Sequence, residues 1–153
     1  MHYFVNIGSN LGDQRMNLSR AVRAIGTHYG YFELSHAVES APWGFESEHR
    51  FLNIGMMFIS DESPEEVLET LQNIEKELGK GETHRDSAGG YKDRMIDIDI
   101  IAADETTFNT PRLQIPHACL AERRFFLEPM AELAPLWKHP VTGLTCGQML
   151  EKL

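Results

Sequence analysis

The chain of 153 residues is long enough to bury a core of its own and reads as one domain over 1–153. Its 42% hydrophobic and 24% charged residues are those of an ordinary soluble globular protein, and a formal charge of −9 disfavours nucleic-acid-wrapping and membrane-surface proteins, which carry a basic balance. No apolar run approaches the roughly 18 residues of a membrane span, MHYFVNIGSN lacks the form of a secretory leader, and Cys119 and Cys146 make no CxxC pair, so a reduced, cytoplasmic setting is expected.

In chain order, HYFVNIG predicts a first strand, closed by turn residues Gly8-Ser9-Asn10 and Gly12-Asp13. Leu18, Ala21, Val22, Ile25 and Tyr29 recur at helical spacing over 14–29, and Gly30 is the stop. Residues 31–40 read as a second strand, APWGFESEHR as a loop and FLNIGMMFIS (51–60) as a third strand. Ser63, Pro64 and Glu66 then form a capping box with proline at the first helical position. Val67, Leu68, Leu71, Ile74 and Leu78 give that helix its apolar face. KGETHRDSAGGYKD, 80–93, is polar and aperiodic with glycines at 81, 89 and 90, a long loop of the kind that carries function. RMIDIDIIA, 94–102, is a fourth strand, followed by a hairpin around TTFNTPRLQIP, a helix from about 119 to 133 and a short irregular tail. The order β-α-β-β-α-β predicts an α+β, ferredoxin-like βαββαβ antiparallel sheet with both helices on one face and a C-terminal helical extension. The other face is expected to be open or thinly covered.

The fourth strand poses the chemical question. Asp is depleted from strands, and like charges on one face repel, yet Asp97 and Asp99 sit among Ile96, Ile98, Ile100 and Ile101. Side chains alternate along a strand, so the isoleucines at 96, 98 and 100 face the helices while the aspartates face away. At a rise of about 3.3 Å per residue the two carboxylates lie about 6.5–7 Å apart, close enough to share one hard cation or to hold two neighbouring ones beside phosphates. Eight of the 14 Lys and Arg residues lie between 76 and 124, which suits a basic pocket for a small polyanion. A merely solvated sheet face accounts for a D-x-D about equally well, and the residues by themselves leave both readings open. IGSNLGD lacks the endings of known phosphate loops and reads as a strand-to-helix turn. None of the seven histidines, His117 included, has metal-ligand spacing. Trp43 and Phe45, in the APWGF break, suggest a ring-stacking surface.

Taken together, IGSNLGD, SAPWGF, FLN (51–53), LQNIEKELG, DRMIDIDII, RLQIPH and RRFFLEPMAELAP stand in the order and spacing of one family. The chain resembles the 6-hydroxymethyl-7,8-dihydropterin pyrophosphokinases of folate synthesis over essentially its whole length. The resemblance implies transfer of the β,γ-diphosphate of ATP to the pterin hydroxymethyl group, with release of AMP. It implies that Asp97 and Asp99 hold two Mg²⁺ ions on the ATP phosphates, and that Arg94 and Arg85 reach those phosphates from a mobile loop. Gln72, Glu75, Arg112, His117 and Arg123 would serve the nucleotide. Asn53 would hydrogen-bond the pterin, Phe51 and Phe125 would sandwich its ring, and Ser40, Ala41 and Trp43 would line its edge. The partners implied are small molecules alone, with no nucleic acid and no membrane, on a monomer.

The sequence departs from the family at YKDR, where WGPR is frequent, and at Lys80, where Arg is common. Lysine keeps the charge there and loses bidentate phosphate binding. Gln114 and Ala118 also differ. The loop at 80–93 is expected to close over ATP, its glycines permitting the movement. Two rivals share the D-x-D, a non-catalytic nucleotide sensor and a two-metal cyclase or polymerase-like enzyme that releases pyrophosphate.

Overall fold

The computed structural model describes residues 1–41, 50–79 and 95–153. Strand β1 (His2–Ser9) is buried along all but its first residue because it lies between two partners. On one side it pairs antiparallel with β4 (Phe51–Ile59), in a register that sets Gly8 opposite Asn53 and Asn6 opposite Gly55. On the other it pairs antiparallel with β5 (Asp97–Ala103), which sets Gly8 opposite Asp97 and Asn6 opposite Asp99. The outer side of β4 carries two short strands, β2 (Phe32–Leu34) and β3 (Val38–Ser40), and the main sheet runs β2-β4-β1-β5.

The continuous second strand expected over 31–40 is therefore interrupted. Ser35 donates its N–H to the carbonyl of Gly55 at 2.9 Å, and its hydroxyl oxygen accepts the Gly55 N–H at 2.8 Å. A side chain thus replaces one backbone partner, and the chain steps off the ladder before rejoining at Val38. The hairpin around residue 110 is present as β6 (Phe108–Asn109) and β7 (Gln114–Ile115).

Helix α1 (Gln14–Tyr29) links β1 to β2, and α2 (Pro64–Leu78) links β4 to β5. Asp13 caps α1 by accepting the Met16 N–H at 3.1 Å, and Gly30, at φ 86°, ends it in a conformation that favours glycine. The Ser63–Glu66 capping box of α2 is formed in both directions. Alternation along the strands sends Tyr3, Val5, Ile7, Met56, Phe58, Ile98 and Ile100 toward these helices, where they pack on Leu18, Ala21, Ile25, Val67 and Leu71.

The opposite face is not thinly covered as expected. Phe4, Met57, Ile101 and Ala102 bury a second core against Leu120, Phe126, Leu127, Met130, Trp137 and Met149. A β-bulge beside Phe4 and Val5 leaves Ile101 as the extra residue of β5, which turns Ile101 and Ala102 to the same side. The helix expected from about 119 is a 3₁₀ turn at Leu120–Glu122 and a separate helix α3 (Arg124–Leu133), divided where Arg123 is extended at φ −114°, ψ 106°. The expected irregular tail contains a further helix, α4 (Cys146–Glu151), capped reciprocally by Thr145 and Gln148. Both cysteines are free.

Gly55 sets the distance between α3 and the sheet. A Cβ there would lie 2.7 Å from the Pro129 Cβ and 3.2 Å from a Leu133 methyl. Gly55→Ala is expected to destabilise the fold by about 1–3 kcal/mol through overpacking, read as a lowered midpoint in thermal or denaturant unfolding. The end of α3 is tied to the β2–β3 step by Glu132, which accepts the His36 N–H at 2.8 Å and meets its Nδ1 at 2.7 Å. The carboxylate raises the His36 pKa above 6.5, and the imidazole lowers that of Glu132 below 4.5. The ionic contribution is complete below pH 6.5 and is lost as pH rises through the raised His36 value; on the acid side it is lost below pH 4.5. The difference in Tm between wild type and Glu132→Gln is therefore expected to be largest between pH 4.5 and 6.5 and smaller under alkaline conditions. A difference that grows with pH would refute this.

Candidate active site

The site lies where the end of β1 meets the starts of β4 and β5. Asp97 and Asp99 are half-buried on the face of β5 that also carries α3, and each lines two pockets of opposite character.

The first pocket is aromatic. Its floor is Asn6 and Gly8 of β1 with Asn53 of β4, and Ala41, Phe51, Arg123, Phe125 and Phe126 form its sides. Glycine at position 8 is a requirement of space, since a Cβ there would lie 2.9 Å from the Asn53 Oδ1. Asn53 is buried and directs its amide N–H groups to the Ser40 hydroxyl at 2.8 Å and the Val38 carbonyl at 3.3 Å. Those bonds orient the carboxamide and tie Val38 and Ser40 of β3, and with them the adjoining Ala41, to the pocket floor. Arg123 is 5% exposed and sets its guanidinium carbon 5.8 Å from the Phe125 ring centre and 5.1 Å from that of Phe126. Its position follows from the break between the 3₁₀ turn and α3.

The second pocket is polar and lies along the outer edge of β5. Gln72 and Glu75 of α2, Arg112, Gln114 and His117 line it with Leu68, Leu113 and Ala118. Arg112 donates to the Gln72 Oε1 at 3.4 Å. The Glu75 carboxylate accepts the backbone N–H of Ile98 at 2.8 Å, so α2 holds the strand between its two aspartates. His117 Nδ1 accepts the Cys119 N–H at 3.1 Å, so the neutral ring carries its proton on Nε2, which points toward Asp99 at 3.8 Å. Burial and then the Arg123 charge lower the His117 pKa to about 4, so near neutral pH the ring is an uncharged donor.

The sequence-derived residues divide between these pockets. Phe51, Asn53, Phe125 and Ala41 come together in the first, with Ser40 hydrogen-bonded behind Asn53. Gln72, Glu75, Arg112 and His117 come together in the second. Arg123, grouped by resemblance with the nucleotide residues, lines the aromatic pocket instead. Arg85, Arg94 and Trp43, with the loop at 80–93, lie outside the described residues. Sequence reasoning passed over Asn6 and read Gly8 as a turn residue, whereas it lies within β1. The signal for Asn6 was the one that exposed the aspartates, a polar side chain inside an otherwise apolar strand.

A family model described as 7,8-dihydro-6-hydroxymethylpterin-pyrophosphokinase matches residues 4–135. A 2-amino-4-hydroxy-6-hydroxymethyldihydropteridine pyrophosphokinase of Porphyromonas gingivalis is 40% identical over 139 residues, covering 90% of this chain and 92% of its own. The protein of that name in Bacillus subtilis is 33% identical, covering 95% of this chain and 85% of its own. Among solved structures, one titled as HPPK-DHPS in complex with substrates superposes with a TM-score of 0.75 at 13% identity, covering 99% of this chain and 43% of that one, a likeness of fold. The chain belongs to the 7,8-dihydro-6-hydroxymethylpterin-pyrophosphokinase family.

Proposed function

We propose that the chain transfers the β,γ-diphosphate of ATP to the hydroxymethyl group of 6-hydroxymethyl-7,8-dihydropterin and releases AMP, a step of folate biosynthesis. The observation that carries this reading is the shared pair of aspartates. Asp97 and Asp99 stand between an aromatic pocket sized by Gly8 and a polar pocket lined by Gln72, Arg112 and His117. A flat ring and a polyphosphate would meet across them.

In this reading Phe51 and Phe125 bind the two faces of the pterin, while Asn53, Ser40, Ala41 and Trp43 match its edge. The pterin hydroxyl loses its proton to solvent as its oxygen attacks the β-phosphorus and a new P–O bond forms. The bond from the β-phosphorus to the oxygen it shares with the α-phosphorus breaks, that oxygen leaving with AMP. Placement supplies most of the catalysis, because the hydroxyl is held in line with the leaving group. His117 donates from Nε2 to a phosphate oxygen, Arg112 and Gln72 bind the nucleotide, and Glu75 keeps β5 in place. Arg123 adds a cation beside the aromatic wall, and the family resemblance assigns Arg85 and Arg94 to the phosphates.

The donor set suits Mg²⁺. Two hard carboxylates share one strand face, and among the described residues no cluster of three or more His, Cys, Asp or Glu forms a self-sufficient cage. Mg²⁺ is commonly held in that way, by one or two carboxylates with substrate phosphates completing the shell. Asp97 and Asp99 would hold two such ions, which when bound supply neutralisation of the charge on the phosphates.

We read the core as ferredoxin-like, with β2 and β3 as the halves of its second strand. The order β2-β4-β1-β5 and the antiparallel pairings support this. The same reading makes the protein a cytoplasmic monomer acting on small molecules. Among the described residues no helix is long and apolar enough to cross a membrane.

Incubation with ATP, Mg²⁺ and the pterin is expected to give AMP only when the pterin is present. A folded sample that binds ATP without releasing AMP, or that releases pyrophosphate, would overturn the assignment. Asp97→Ala and Asp99→Ala are each expected to lower turnover about a hundredfold or more while keeping the wild-type circular dichroism spectrum. Near-normal turnover in either variant would remove the two-ion reading.

A further inference from the structure

Helix α3 contains Pro129, which has no N–H to donate. In an α-helix that N–H would bond the carbonyl four residues earlier, so the helix provides no donor for the Phe125 carbonyl. The missing bond comes from another element. Asn6, in the middle of β1 and only 2% exposed, donates its Nδ2 N–H to the Phe125 carbonyl at 2.9 Å. A buried carboxamide on this apolar face would be costly without such a partner. Across the sheet Asn6 pairs with Gly55, the residue whose lack of a Cβ admits Pro129. One cross-strand pair thus seats the first turn of α3, the glycine making room for the proline and the asparagine replacing the hydrogen bond the proline removes. On its other side Asn6 is opposite Asp99.

We propose that Asn6 is a positioning residue for the pterin, acting through Phe125. Its amide fixes the first turn of α3 against β1 and so holds the Phe125 ring at a set height over the aromatic pocket and beside the carboxylate strand. Asn6 need not touch the transferred group. This rests on the functional reading above, in which Phe125 is a wall of the pterin pocket.

Steady-state kinetics on the full chain test it. Asn6→Ala is expected to raise the KM for the pterin about five- to tenfold, as loss of one neutral hydrogen bond would, with little change in the KM for ATP and a smaller change in kcat. Pro129→Ala, which keeps the Cβ seated on Gly55 and restores a helical N–H, is expected to bring the pterin KM of Asn6→Ala back toward wild type. In a Phe125→Ala background Asn6→Ala should add nothing further. Asn6→Leu, which preserves volume, makes the same comparison if Asn6→Ala proves too unstable to assay, and failure of both to fold even with Pro129→Ala would make the role structural and overturn the proposal. An unchanged pterin KM, an equal rise for ATP, full additivity with Phe125→Ala, or no recovery with Pro129→Ala would also overturn it. A wild-type chain that gives no pterin-dependent AMP would overturn the functional reading and this proposal with it. An active wild type with an unaffected Asn6→Ala overturns this proposal alone.

Discussion

The register of β1 is the constraint on which the site depends. This strand touches both neighbours along its length, so two of its residues decide what four others can do. Gly8 stands between Asn53 and Asp97, and Asn6 stands between Gly55 and Asp99. A slip of one residue against either neighbour would reverse the facing of every side chain on the slipped strand. The aspartates would then enter the helix-covered core and the isoleucines would enter the pockets. Burial of both faces makes that exchange prohibitive, since charge would be desolvated on one side and apolar area exposed on the other. The two hydrophobic cores therefore specify the site as well as stabilise the fold.

Charge is distributed to the same end. The chain is acidic overall, yet the carboxylates that matter are held singly in a strand, with Arg112 and Arg123 brought near from segments that follow β5. Glu75 is spent on a backbone N–H, so its negative charge anchors the strand. His117 is kept neutral by burial and by Arg123, which makes it a directed donor with a fixed tautomer. Glu75, Asn53 and Asn6 are thus each oriented by a second element.

What could be read from the sequence was what depends on local periodicity. The two-residue alternation of β5 separated isoleucines from aspartates, and the Ser63–Glu66 box and Gly30 marked helix ends through short-range bonds alone. The misses involve distant partners. The break after Leu34 requires Ser35 to exchange bonds with Gly55, and the break at Arg123 places a guanidinium on two rings of the following helix. The covering of the second face comes from Leu120, Phe126, Leu127 and Met130 of the segment read as a helix and from Trp137 and Met149 of the segment read as an irregular tail, where Thr145 and Gln148 form a legible cap. Residues gathered by family resemblance line both pockets, but the resemblance grouped Arg123 with the nucleotide residues, whereas it lines the aromatic pocket, and it did not single out Asn6. The asparagine's partner is a carbonyl exposed by a proline 123 positions further along the chain, a link that only the packed structure makes.

The bond from Ile98 to Glu75 has a consequence beyond catalysis. As the terminal strand of its sheet, β5 would otherwise present unpaired main-chain groups in an apolar sequence, the kind of edge onto which a second chain can add a strand. Here the Ile98 N–H is taken by a side chain of α2, and the Ile101 carbonyl accepts the His117 N–H at 2.9 Å. The sheet's opposite margin is guarded by brevity, since β2 has three residues. Glu75 and His117, which line the polar pocket, thus also cover the strand most prone to edge-to-edge aggregation.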